Sequence, residues 1–274
     1  MLEGLEWVIT LCVRALQLNL LFGDKYKEIS QVSHYGKETS IREIVEYRTA
    51  SPIDNLRIID VPGLATSLRA DAQILASLKL FMDTDPDLSV CIPHAVVLVT
   101  RFDQSKTLGH PNSNFVRSLK AISLLRARLL DEFQCNLILV LTHYMKGKRR
   151  HRVYPQPHLD KFKQIARQHL GLPYDPSIVP GENCADEYQL LNLKDSWRLT
   201  SGLLYPENLM SALLSVVSVS KSSLGYQYFH YILQNRPLLV FEPGPPIKLV
   251  DPERTRYKKF LEALLLTSVS GTAV

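Results

Sequence analysis

The heptapeptide "IIDVPGL" at 58–64 sets a carboxylate, Asp60, shortly ahead of a glycine, Gly63, at the end of an apolar run. A strand that delivers an aspartate into a loop with proline and glycine suits one kind of site. There the carboxylate holds Mg²⁺, directly or through water, while the glycine N–H approaches a terminal phosphate. In that chemistry Asp60 is the metal residue and Gly63 the phosphate sensor. The same string is also an ordinary turn, so its meaning depends on the elements that flank it.

Those elements alternate between strand and helix, as a mostly parallel sheet with helices on both faces requires. "IREIVEYRT" (41–49) and "NLRIIDV" (55–61) flank a turn-rich segment and predict an antiparallel hairpin. A helix is expected over about 67–82, followed by the strand "AVVLVT" (95–100), too uniformly apolar to lie anywhere but the centre. Helical spacing over 113–133 predicts cover for one sheet face, and "NLILVLTH" (136–143) is the next buried strand. A helix over about 158–170 and a short strand starting at Ser177 complete the first part. Beyond about 190 the pattern reads as helical segments, at 206–234 and 254–266, interrupted by the proline-rich "EPGPPIKLVDPER" (242–254), a linker or ordered turn. The expected organisation is one domain over 1–190 and a mainly helical extension over 191–274.

Composition narrows the class. The chain has 274 residues, 46% hydrophobic and 22% charged, and a net charge of +5, which gives no global nucleic-acid signature. Cys12, Cys91, Cys135 and Cys184 are too sparse for a disulfide framework and lack zinc spacing, so reduced thiols are expected. The apolar N-terminal stretch carries Glu3 and Glu6 where a secretory leader is positive, and Arg14 cuts it short of a span. Neither a signal peptide nor a transmembrane segment is expected, and a cytoplasmic location follows, with attachment to a membrane surface left open.

The strand order, with "DVPGL" after the hairpin and "PHAVVLVTRFD" at 93–103, resembles the G domains of the AIG1-type family. These are the immunity-associated GTPases of animals and the chloroplast import receptor GTPases of plants. The resemblance covers roughly 16–185. It implies a P-loop GTPase-like α/β fold, binding of GTP or GDP with Mg²⁺, and self-association across the nucleotide face. It also implies roles for Thr142 and His143 in "LTHYMKG", where the guanine is read, and for Asn183 in "GENC", near the base. Thr39 in "GKETS" stands where such domains carry the switch threonine that closes over Mg²⁺. Elsewhere it is simply a polar loop residue.

Two departures stand against full activity. On the alignment that the resemblance implies, "VITLCVRA" (8–15) fills the slot of the phosphate loop: Val13 replaces the glycine, Arg14 the lysine and Ala15 the hydroxyl residue. Such a loop works because glycines let backbone N–H groups converge on phosphate, which Val and Leu do not readily permit. Met145 stands where the guanine-reading aspartate belongs. GTP binding and hydrolysis are therefore expected to be impaired, with the first strand and loop degenerate or truncated. The alternative is a pseudo-GTPase that works as a nucleotide-independent interaction or assembly module. Either the chain functions without the loop, or "MLEGLEWVITLCV" replaces a lost start. "WVITLCV" (7–13) is compatible both with a substitute strand and with the first turns of a helix running to Leu21.

The basic run "KGKRRHR" (146–152), with Tyr144 and Tyr154 beside it, suits phosphate groups of nucleic acid or lipid, or a solvated loop. Arg101 and Asp103 suit a salt-bridged switch or a simple cap. The eight histidines show no metal spacing.

Overall fold

A computed structural model describes residues 7–12, 44–50, 56–63, 68–86, 92–102, 107–111, 113–132, 135–144, 156–181, 192–193, 196–198, 204–205, 207–220, 240–245, 247 and 249. In chain order the strands are β1 (Trp7–Cys12), β2 (Val45–Ala50), β3 (Leu56–Asp60), β4 (Ala95–Arg101), β5 (Leu137–Thr142), β6 (Ser177–Pro180), β7 (Asn192–Leu193), β8 (Ser196–Arg198), β9 (Leu204–Tyr205) and β10 (Val240–Pro243). The helices are α1 (Leu68–Thr84), α2 (Asn114–Leu124), the single turn α3 (Arg126–Leu129), α4 (Gln156–Leu170) and α5 (Glu207–Ser220).

Seven strands form one sheet in the order β10-β2-β3-β1-β4-β5-β6. β1, β3, β4, β5 and β6 run parallel, and β2 and β10 are antiparallel to their neighbours. The expected hairpin is β2–β3, and "AVVLVT" lies between β1 and β5. Every residue of β5 is buried, because helices shield both faces of the parallel region.

The two faces can be read from alternate residues. Val96 and Leu98 of β4 and Leu137, Leu139 and Leu141 of β5 join a core with Leu75 and Leu78 of α1, Leu119 and Ile122 of α2, and Phe162 of α4. The intervening Val97, Ile138 and Val140 are also fully buried. On that opposite face α5 packs across β4, β5 and β6, with Leu209 and Leu213 buried.

Local chemistry sets the helix ends. The Ser113 hydroxyl accepts from the Val116 N–H at 3.2 Å and so caps α2. Where one helix over 113–133 was expected, the chain breaks at Leu125, whose N–H bonds to the Ile122 carbonyl at 2.9 Å. The tighter turn lets Leu125, Leu129 and Leu130 all reach the core. α4 ends at Gly171 with φ +58°, and Leu172 donates back to the Arg167 carbonyl at 3.1 Å.

β1 is a full central strand, which decides 7–12 for the substitute strand over the helix and leaves 8–12 outside any phosphate loop. Two findings depart from the sequence reading. Residues 192–193, 196–198 and 204–205 form the three short antiparallel strands β7, β8 and β9, inside the extension expected to be mainly helical. The proline-rich stretch begins inside β10, and its backbone continues along β2, with Gly244 donating to Glu46 at 2.7 Å and Ile247 to Ile44 at 2.9 Å. Pro243 is tolerated there because an edge strand has no partner on its outer side. α5 and β10, both beyond residue 190, lie against the central sheet.

Candidate functional site

All five parallel strands point their carboxyl ends to one edge of the sheet, where Cys12, Asp60, Arg101, Thr142 and Pro180 finish them. β3 connects through α1 to β4, passing β1, which lies between them. Connections therefore leave β1 and β4 in opposite directions, the arrangement that opens a ligand crevice in sheets of this kind.

Asp60 ends β3, in register with Leu11 of β1 and Val45 of β2, and is half-buried. Gly63 is exposed, and a Cβ built on it would meet no atom within 4 Å. Its φ lies outside the left-handed region, so neither backbone nor packing demands glycine there.

Thr142 ends β5 three strand steps from β3, about 14 Å at the usual spacing. It is 3% exposed, and its hydroxyl donates to the Thr100 carbonyl at 3.2 Å. The hydroxyl thus ties the ends of β4 and β5 together. His143 follows with φ +53°, the one non-glycine at positive φ among the described residues. This left-handed step turns the chain and drives Tyr144 inward.

Tyr144 is 2% exposed, with its ring 5.1 Å from that of Phe102. Phe102 stacks on Phe162 at 6.1 Å, and Phe162 meets Phe115 edge-on at 5.1 Å, so the rings link this edge to α4 and α2. Burial pushes the Tyr144 phenol above its ordinary pKa. Tyr144 is therefore a core anchor, buried where the sequence reading offered it as a ring available for stacking. The sequence did carry a signal: a large aromatic two residues past the end of a buried strand, much as Phe102 directly follows β4.

Backbone bonds join the next two loops. Gly181 donates to Leu141 at 2.9 Å, and Tyr144 donates to Gly181 at 3.3 Å. The segment leaving β6 is thus held against the segment leaving β5. The structure brings Asp60, Gly63, Thr142 and His143 to one edge. Thr39, Asn183, Met145, Asp103 and the basic run lie outside the described residues.

Among the described residues, β1 supplies no amide to a Mg²⁺-bound triphosphate. The β1 ladder pairs Trp7 through Leu11 with β3 and Ile9 through Cys12 with β4. Its amides are committed to the sheet and cannot converge on phosphate. Placing 8–12 in the phosphate-loop slot is thereby overturned; any such loop has to begin after Cys12. Residues 13–22, "VRALQLNLLF", contain no glycine, lysine, serine or threonine. The side chains that ordinarily supply the bridging ammonium and the metal-ligating hydroxyl are therefore absent from 13–22. Among the described residues, no three carboxylate, imidazole or thiol groups gather to hold a metal ion.

No family model matches the sequence, and no curated protein matches it. Solved structures do. The fold is similar to that of Toc33. One such structure concerns the chloroplast translocon components atToc33 and psToc159, for whose GTPase activity dimerisation is important. It is 18% identical, with a TM-score of 0.56, over 80% of this chain and 86% of that one. Another, a dimerisation-deficient arginine-to-alanine variant of Toc33 from Arabidopsis thaliana, gives 18% identity and a TM-score of 0.55, over 79% and 86%. The shared property is the α/β architecture: a largely parallel sheet with helices on its faces. No helix among the described residues is long and apolar enough to cross a membrane.

Proposed function

We propose that this chain is an AIG1-type, GTPase-class domain in which GTP binding and hydrolysis are impaired by the absence of a phosphate loop. The observation that carries the reading is the end of β1: its ladder reaches Cys12, and the residues that follow offer no cradle chemistry. The class itself is supported by Asp60 with Gly63 on one side of β1 and Thr142 with His143 on the other, at one carboxyl edge. Likeness in fold to the chloroplast translocon GTPases supports it too.

In this reading Asp60 and Thr39 are the residues that would hold Mg²⁺, and Gly63 leaves room for a terminal phosphate. Thr142, His143 and Asn183 form the base side. The division into 1–190 and 191–274 and a cytoplasmic location belong to the same proposal. Self-association across this edge also belongs to it, since dimerisation matters to the similar proteins. A second reading, a nucleotide-independent assembly module, is favoured by one observation: the Thr142 hydroxyl and the Tyr144 ring are both committed to the interior.

A fluorescent GTP analogue titrated into the full chain, with and without Mg²⁺ and competed by GTP and ATP, tests the proposal. The expected result is no tight, Mg²⁺-dependent binding. Tight, saturable binding that GTP alone displaces overturns the impairment. The triple variant Val13→Gly, Arg14→Lys, Ala15→Ser separates the two readings. Gain of GTP binding supports the GTPase-class domain, and an unchanged baseline in a folded variant supports the module.

A further inference from the structure

The helix that follows Gly63 is α1, and three arginines from three different elements hold it. Beyond its C-terminal end, Arg57 of β3 donates from Nη1 and Nη2 to the two carboxylate oxygens of Asp85, at 3.2 and 2.6 Å. The Arg57 Nε donates to Glu46 of β2 at 2.6 Å, and the Arg57 side chain is 1% exposed. In the last turn, Arg128 of α3 donates to the Met82 carbonyl at 2.8 Å and lies 3.7 Å from the Asp83 carboxylate. In the first turn, Arg117 of α2 donates to Asp71 at 2.9 Å, and the Asp71 side chain is 5% exposed.

Between these ties Ala72, Ile74, Leu75, Ala76 and Leu78 are all buried. Residues so close in sequence cannot share one stripe of a helix, so α1 is packed on more than one side.

We infer that α1 is a fixed strut of the fold and does not shift with the state of the carboxyl edge. Helices that transmit switching move by about 1–2 Å or by a whole turn of about 5.4 Å. Either motion parts the forked Arg57–Asp85 pair at one end and the Arg117–Asp71 bond at the other. The three arginines belong to β3, α3 and α2, so no rigid movement of α1 alone keeps all of its ties. A signal that starts at Asp60 and Gly63 is then not passed on through α1 and reaches a partner that reads the edge directly. This inference goes beyond the proposed function and holds whether or not nucleotide binds.

Hydrogen exchange of the full chain, resolved by peptide, tests it. Peptides within 72–82 are expected to exchange as slowly as β4 and β5. Asp85→Asn keeps the shape and removes the charge, and should speed exchange about tenfold or more at 80–85 while β4 and β5 keep wild-type rates. Arg117→Gln should act likewise at 70–74. If Asp85→Asn does not fold, Glu46→Gln loosens Arg57 from its other side with the same local expectation.

Rapid exchange of α1 in the unmodified chain overturns the strut. So does an increase spread evenly over α1, β4 and β5, which would make Arg57 a general stabiliser. Repeating the measurement with Mg²⁺ and GTP separates the two ideas. Binding that leaves α1 unchanged refutes impaired binding and keeps the strut, whereas binding that alters α1 refutes both.

Discussion

Truncating Tyr144 to alanine should be among the most damaging single changes at the carboxyl edge, although this residue neighbours a loop and a basic run. The ring is 2% exposed and sits 5.1 Å from Phe102, itself 1% exposed. Removing a fully buried aromatic costs about 3–5 kcal/mol in lost transfer energy and residual cavity. The position favours the middle of that range, about 4 kcal/mol. His143 in its left-handed turn limits collapse of the loop into the space, while the Phe102 ring can tilt partly into it. Tyr144→Phe keeps the ring and should cost less than about 1 kcal/mol. Urea unfolding followed by circular dichroism, with the slope checked for constancy, measures both differences. A loss below about 1 kcal/mol for Tyr144→Ala would mean that the ring is not a core anchor. It would then be available to a ligand at the edge, and the account of Thr142, His143 and Tyr144 would fail.

Two further outcomes are expected. Gly63→Ala should change stability by no more than about 0.5 kcal/mol in a urea titration, since its Cβ meets nothing and no positive φ is needed; a loss above 1–2 kcal/mol would show a hidden packing role. Burial, with the Cys135 and Asp131 charges added, pushes the Tyr174 phenol up to about 12, while its hydroxyl donates to the Asp131 carbonyl at 2.5 Å. Its contribution is therefore complete below about pH 10, where the unfolded chain's tyrosine begins to ionise, and disappears as pH rises through about 12. Allowing for its half-buried setting, the loss should be about 1 kcal/mol, and Tyr174→Phe should flatten that part of a stability-against-pH curve.

Much of the sheet was legible because its strands are short, uniformly apolar and bounded by turn residues. β4 and β5 could be placed at the centre from composition alone, since only strands covered on both faces dispense with alternation. β1 was harder. "WVITLCV" has spacing compatible with either helix or strand, and the choice is made by β3 and β4, whose unpaired edges need a strand between them. β10 was missed because prolines suppress the strand signal, although an edge position removes their cost. The break at Leu125 follows from packing of Leu129 and Leu130 that no local pattern contains.

At the candidate site, Asp60 and Gly63 could be singled out from the strand-to-loop motif, and Thr142 and His143 only through the family resemblance; all four lie at or just past strand ends. The inward turn of Tyr144 could not, because it depends on the backbone of His143 and on aromatic rings contributed by three other elements. Nor could the role of Arg57, which reads as the polar residue of an alternating strand until Asp85 and Glu46 close around it.

The pairing of β10 with β2 also orders events in time. Val240 lies opposite Ala50, so the outer edge of the hairpin is completed by residues that leave the ribosome long after β2 and β3 have emerged. Throughout that interval the nascent chain carries a bare strand edge, open to any other extended segment nearby. Its yield in the cell should therefore depend on elongation speed and on chaperones that shield strand edges, in addition to the stability of the finished fold.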